Sequence, residues 1–226
     1  MPEIVIIKPD SFIQEDHWYP KALNSTIHPL VSFFLNLSKR RIIERYCHLR
    51  PLVDKEKLEE ILSYEPKYYK WSGADLINST LEGGNKQMVI IENNSCPSGQ
   101  KSMPLLNDNI EDGTYRELIE KTFKPFVNKS KGKKKINGKL AVIFDKNPME
   151  ASGYASVIAD VFDEYVYFIP YYNTEDRSHI KIEDEVIHVK HENSWIPLRA
   201  VFRYLTQKPW DRLPIKSRTK IFNPII

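Results

Sequence analysis

Val89-Ile90-Ile91-Glu92-Asn93-Asn94-Ser95-Cys96-Pro97-Ser98-Gly99-Gln100 is the stretch on which the reading of this chain turns. Met88 to Ile91 is short, apolar and largely β-branched, which reads as a buried strand. Polar residues follow at once. Glu92 and Asn94 are two residues apart, so on a continuing strand they share a face. A carboxylate and an amide carbonyl on a rigid support suit Mg²⁺, which takes oxygen ligands and is usually shared with substrate phosphates. Pro97-Ser98-Gly99 reads as a turn whose N–H groups and hydroxyl can hold an anion. The competing reading is an Asn-rich turn after a core strand, because Asn, Pro, Ser and Gly dominate turns.

Composition bounds what surrounds this stretch. The chain has 226 residues, enough for one large domain or two small ones, and 41% hydrophobic residues can build a core. Its 33 basic and 30 acidic residues leave a net charge of +3, too balanced to imply a nucleic-acid partner. Cys47 and Cys96 make neither a disulfide framework nor a zinc site. Met1 to Ile7 carries Glu3 and leads into Lys8-Pro9-Asp10, which is no basic-plus-apolar leader. No apolar run approaches the ~20 residues of a membrane span. A cytoplasmic protein without membrane or nucleic-acid partners is expected.

Upstream, Ile4 to Ile7 is an opening strand and residues 10 to 23 read as irregular. Asn24 to Thr26 can cap a helix carrying Leu30, Phe33, Phe34 and Leu37. The basic run Lys39-Arg40-Arg41 reads as a solvated helix face. Asp54 caps a helix that ends before Pro66. Glu82-Gly83-Gly84-Asn85 is a hairpin turn ahead of the Glu-x-Asn strand. Downstream, residues 101 to 109 read as loop and about 112 to 127 as helix. The basic stretch Lys129 to Lys135 lacks a phosphate-loop pattern and reads as a linker. Lys139 to Asp145, Ala151 to Phe162 and Tyr165 to Pro170 read as strand, helix, strand, hence a parallel crossover. A hairpin about Glu183-Asp184-Glu185 and a strand over Leu198 to Leu205, carrying Arg203, complete the pattern. His179, His188 and His191 do not have zinc-site spacing.

Glu-x-Asn at a strand end resembles the metal-binding motif of ATP-grasp ligases. The longer pattern, Gly73-x-Asp75-Leu76, an apolar strand and Glu-x-Asn-x-x-Pro-Ser-Gly, is similar to the circularly permuted ATP-grasp proteins, which are related to glutathionylspermidine-synthase-like enzymes. Their pattern has an acidic residue where this chain has Asn93. Phe202-Arg203-Tyr204 matches an aromatic-Arg-aromatic position. Asp211 to Leu213 and Phe222-Asn223-Pro224 match the lead into the ATP-binding lobe. The resemblance covers about residues 70 to 226.

The resemblance implies an α/β fold. Residues 1–128 would be a helical, α+β part carrying the Glu-x-Asn motif on an ATP-grasp-like half, 129–138 a basic linker, and 139–226 a Rossmann-like pre-ATP-grasp domain; residues 1–69 are read by pattern alone. It implies part of an ATP-dependent carboxylate–amine ligase acting through an acylphosphate, with Mg²⁺ and ATP. Glu92 and Asn94 would bind the metal. Arg203 and Ser98 would be catalytic. Arg203 would hold a carboxylate or phosphate, its competing reading being an ion pair with a nearby acid. Ser98 with the Gly99 N–H would position the substrate carboxylate, Gly99 being the cofactor-binding residue. The partners would be small-molecule or peptide carboxylates and amines. In that family the lobe that clamps ATP follows later in the chain. The expectation is therefore an N-terminal portion holding one side of the site, inactive alone and completed by a further segment or a second chain. A non-catalytic binding or assembly protein with the same fold is the alternative. An RNA-binding module resting on Lys39 to Arg41 and Lys129 to Lys135 is a more remote one.

Overall fold

The computed structural model describes residues 3–23, 29, 33, 34, 36–103, 112–129, 136–172, 178–206, 213, 214 and 216–223. β1 (Val5–Ile7) is followed by two single-turn helices, α1 (Gln14–His17) and α2 (Pro20–Leu23). This corrects the irregular segment expected over 10–23. His17 and Trp18 are buried there, and a buried backbone must satisfy its own polar groups, which a helical turn does locally. The helix expected around Leu30 lies largely outside the described residues.

α3 (Lys39–Leu49) and α4 (Lys55–Ser63) both begin at capping side chains. Ser38 accepts from the Arg41 N–H, and Asp54, the expected cap, accepts from Glu56 and Lys57. Arg40 and Arg41 lie on the solvent side of α3 and pair with Glu44.

β2 (Gly73–Thr80) and β3 (Lys86–Asn94) form the expected hairpin, with Gly83 and Gly84 at positive φ in its turn. The hairpin is a two-stranded sheet of its own. The burial expected for its apolar run is corrected: Ile90 is 61% exposed and Ile91 58%. An apolar run implies burial only where layers cover both faces of a sheet, and this hairpin has no such layer among the described residues.

A 3₁₀ turn (Gln100–Ser102) comes next. The helix expected over 112–127 follows as α5 (Gly113–Leu118), a π-helical turn (Ile119–Phe123) and α6 (Lys124–Asn128). Then come β4 (Lys139–Phe144), α7 (Pro148–Phe162) and β5 (Val166–Pro170). β4 and β5 are parallel neighbours, with Leu140 opposite Val166 and Phe144 opposite Pro170. β6 (Ile180–Glu183) and β7 (Val186–His191) turn back through Asp184 and Glu185, both at positive φ, as a tight hairpin requires. β8 (Ser194–Tyr204) and β9 (Lys220–Phe222) finish the chain's regular structure among the described residues.

These strands make a seven-stranded sheet in the order β1-β5-β4-β8-β7-β6, with β9 also beside β8. β5, β4, β8 and β9 run parallel; β1 and the β6–β7 hairpin add antiparallel pairs. The fold is α/β with a mixed sheet. The part after 139 has a parallel centre, as expected, and β1 reaches the sheet from the other end of the sequence.

Leu140, Val142 and Phe144 face α7 and an aromatic cluster that includes Trp18, Tyr115, Phe123, Phe202 and Phe222. Ala141, Ile143, Ile169 and Val201 line the other face with Ile187 and Val189. Residues before 129 and after 138 thus share one core cluster. Each large apolar side chain buried there contributes about 1.5–3 kcal/mol. Among the described residues no helix is long and apolar enough to cross a membrane.

α7 packs tightly at Gly153, where a Cβ would lie 2.8 Å from the Tyr115 ring and 3.2 Å from His17 Cβ. Gly153→Ala should therefore destabilise the chain by about 1–3 kcal/mol in urea titrations, because overpacking outweighs the gain in helix propensity. His17 packs in the same place, with Nδ1 3.3 Å from the Met149 carbonyl and 3.2 Å from Ser152 Oγ. Burial pushes its pKa below the usual 6.5. The unfolded chain then binds this proton more readily, so His17 contributes full stability above its unfolded pKa. That contribution is lost as pH falls through the depressed folded value. His17→Gln should flatten the acid side of a stability–pH curve measured by urea titration.

Candidate functional site

β4 lies between β5 and β8, and the chain leaves it for opposite sides of the sheet: through α7 to β5, and only later to β8. In open α/β sheets the crevice at the carboxyl ends of such strands is the usual place for ligands. Asp145, Lys146 and Asn147 occupy that position after β4. Asp145 accepts from the Thr206 N–H at 2.8 Å and from the Thr206 hydroxyl, which ties the ends of β4 and β8 together. Asn147 holds φ at 41°, a left-handed conformation that Asn tolerates.

The β2–β3 hairpin delivers its polar end to this edge. Asn94 Nδ2 donates to Glu92 Oε1 at 3.0 Å, so the two side chains converge. Asp75 is the register partner of Glu92, beside an irregularity in the pairing that leaves Ile91 without a partner. Directly opposed residues of an antiparallel pair share a face, and like charges so opposed repel. Two carboxylates and an amide therefore share one face of this strand end, with Asp75 and Glu92 both exposed. Gly73, opposite Asn94, is needed for Pro97: a Cβ there would meet the Pro97 Cβ at 2.6 Å.

The base of the hairpin is held by backbone clamps. The buried Asn223 side chain accepts from the Lys70 and Trp71 N–H groups at 2.6 and 3.2 Å. Its amide donates to the Ser95 carbonyl at 2.9 Å and to the Trp71 carbonyl. One side chain thereby joins both feet of the hairpin to the end of β9. Arg203 is fully buried. Its guanidinium donates to the carbonyls of Asn223, Leu205 and Ser95 and to Ser95 Oγ. Burial lowers its pKa. Its observed partners are these oxygens of the chain itself.

The turn at Pro97-Ser98-Gly99 already has an anion, the carboxylate of Glu150. This residue lies in the first turn of α7 and is fully buried. Its Oε1 accepts from the Gly99 and Gln100 N–H groups at 3.3 and 3.2 Å and from the Tyr154 hydroxyl at 2.9 Å. Its Oε2 meets Lys101 Nζ at 3.3 Å. Burial first, and the Glu150 charge second, raise the pKa values of Tyr154, Tyr115 and Tyr204, which keeps these phenols protonated. Ser98 is exposed; its Oγ lies 3.0 Å from the Tyr204 hydroxyl and accepts from Asn147 Nδ2 at 2.8 Å. Lys146 Nζ donates to the Cys96 carbonyl at 2.8 Å and lies 5.1 Å from the Tyr204 ring centroid. The Cys96 thiol is buried against the Arg203 carbonyl, and burial raises its pKa.

Glu92 and Asn94 are thus brought together at the surface, Ser98 opens on the crevice, and Gly99 and Arg203 are engaged inside. Sequence reasoning passed over Asp75, although it lay inside the quoted Gly-x-Asp motif. It also passed over Lys146 and Asn147, read only as turn residues after a strand. Nothing local marked Glu150 or Asn223, whose partners lie 50 and 152 residues away. The chain matches no protein-family model, no curated protein and no solved structure.

Among the described residues no group of three or more His, Cys, Asp or Glu side chains is arranged to hold a metal ion. The candidate set is two carboxylates, Asp75 and Glu92, and the Asn94 amide. These hard oxygen donors fit a Mg²⁺ ion that keeps several waters.

Glu150→Ala strands the Lys101 ammonium and the two turn N–H groups in a buried site. It should cost about 3–5 kcal/mol, the usual range for breaking a buried pair from one side. Urea denaturation at neutral pH checks this.

Proposed function

We propose that the chain forms one side of an ATP-dependent carboxylate–amine ligase site of the circularly permuted ATP-grasp type. The carrying observation is the pairing of Asp75 opposite Glu92, which Asn94 bonds, at the end of the β2–β3 hairpin. Repulsion between opposed carboxylates makes that strand end a natural seat for a divalent cation. When bound, Mg²⁺ would offset the charge of ATP phosphates during phosphoryl transfer to a carboxylate. Asp75 and Glu92 would hold the ion, and the Asn94 amide, by a half-turn, would present its oxygen. Asn223 and Arg203 would hold the hairpin base in position through their backbone bonds. An amine then displaces phosphate from the acylphosphate to form the amide. The bare apolar residues Ile77, Val89, Ile90 and Ile91 on the hairpin fit the reading that an ATP-clamping lobe, from a further segment or another chain, covers it.

Asp75→Asn and Glu92→Gln test the reading through metal binding. With Mn²⁺ as the probe, the wild-type chain should show paramagnetic broadening centred on residues 73–75 and 92–94. Either variant should weaken it at least about tenfold, as expected for losing a charged ligand. Their stability should change by no more than about 0.5 kcal/mol, as for exposed positions. Broadening elsewhere, or broadening indifferent to both variants, would sink the reading.

A second reading is a non-catalytic binding or assembly protein that keeps the fold. One observation favours it: Arg203 and the Gly99 N–H, expected at the substrate, are spent on internal bonds. A chain that binds no divalent ion at the hairpin but folds normally would support this second reading.

A further inference from the structure

Lys146, Asn147, Ser98 and Tyr204 come from the β4–α7 loop, the turn after β3 and the end of β8, and they converge at the crevice. Their hydrogen-bond count is unbalanced toward donors. Lys146 spends one bond on the Cys96 carbonyl and, among the described residues, makes no ion pair; an ammonium has further protons to give. Ser98 and Tyr204 share one hydrogen bond, so one of the two hydroxyl protons is left over. The Asn147 amide, donating to Ser98, fixes the hydroxyl from behind.

Among the described residues, the two carboxylates adjoining this cluster in the fold, Glu150 and Asp145, are already engaged. Glu150 is enclosed by Gly99, Gln100, Tyr154 and Lys101. Asp145 is bound by Thr206. The first-turn N–H groups of α7 are not the donors in question, because those of Glu150 and Ala151 bond the Asn147 carbonyl. The cluster stands on side chains, with Ser98 exposed and Lys146 half-buried, so it can be reached from solvent. An ammonium over the Tyr204 ring and a hydroxyl on its phenol oxygen can answer the two oxygens of a carboxylate, or two oxygens of a phosphate, by charge-assisted hydrogen bonds.

We propose that Lys146 and Ser98, braced by Asn147 and Tyr204, form an anion site for a carboxylate or phosphate group. The donors define the site; its role as the seat of the substrate carboxylate rests on the ligase reading. Under that reading the anion lies at Ser98 and Lys146, displaced from the Gly99 N–H that Glu150 occupies.

The test is a ¹H–¹⁵N NMR titration of the whole chain with sodium acetate and, separately, inorganic phosphate, at constant ionic strength. Saturable shifts of the Asn147 side-chain amide and the Ser98 N–H are expected. Lys146→Met should weaken them about tenfold or more, since a charge-assisted bond is lost. Ser98→Ala, which keeps Lys146 in place, should weaken them several-fold. The stronger response to acetate assigns a substrate carboxylate, and the stronger response to phosphate assigns a nucleotide; both uphold the site. Absence of saturable shifts at these groups in the folded wild-type chain overturns it, as do shifts unchanged in folded Lys146→Met and Ser98→Ala. Mn²⁺ broadening at the hairpin is read in the same samples. Its loss with the anion response intact removes the ligase reading alone, and the reverse removes this site alone.

Discussion

A carboxylate without water needs several donors at once, and Glu150 obtains them from two distant parts of the chain. The Gly99 and Gln100 N–H groups and Lys101 come from the turn after β3, while Tyr154 stands one helical turn along α7. Buried pairs rarely add net stability over apolar packing, but they are costly to break, so they specify a single arrangement. Here the arrangement specified is the docking of the 95–102 segment on the first turn of α7. That contact fixes where Ser98 faces and which N–H groups are spent. It also places three phenols around the charge and keeps them protonated.

The hairpin is positioned by a related device. Asn223 and Arg203 are polar side chains buried for the sake of backbone groups: one amide joins Lys70, Trp71 and Ser95, and one guanidinium joins Ser95, Leu205 and Asn223. Segments that have no ladder partner still need their N–H and C=O groups satisfied once buried. The two side chains supply that requirement and give an otherwise isolated two-stranded hairpin a rigid base. Among the described residues its outer length is paired only within the hairpin, and two strands without a packed layer are marginal alone. The Asp75–Glu92–Asn94 group lies next to the clamped Ser95.

Much of the architecture was legible because its signals are local. The parallel pairing of β4 and β5 followed from an apolar strand, a helical period and a second apolar strand. The Asp54 cap, the Gly83-Gly84 turn and the hairpin around Asp184 followed from residue types with defined backbone preferences. The burial of the 89–91 run was misjudged because apolar composition states a need for cover and does not say whether a layer is there. The segment 10–23 was misjudged because its short helices answer to burial of His17 and Trp18 under α5 and α7, which no local pattern announces.

The candidate site divides along the same line. The sequence by itself determined that a carboxylate and an amide share a face at a strand end, since a two-residue period allows nothing else on a continuing strand. It also determined that a donor-rich turn follows. Only the tertiary structure decided that Asp75 faces Glu92, because strand register depends on the pairing and on the irregularity beside Ile91. Only the tertiary structure decided that Gly99 serves Glu150, that Arg203 serves carbonyls, and that Lys146 stands beside Ser98. Hydrogen-bond donors are assigned by proximity in space, and a chain's local preferences carry no record of which distant acceptor will arrive.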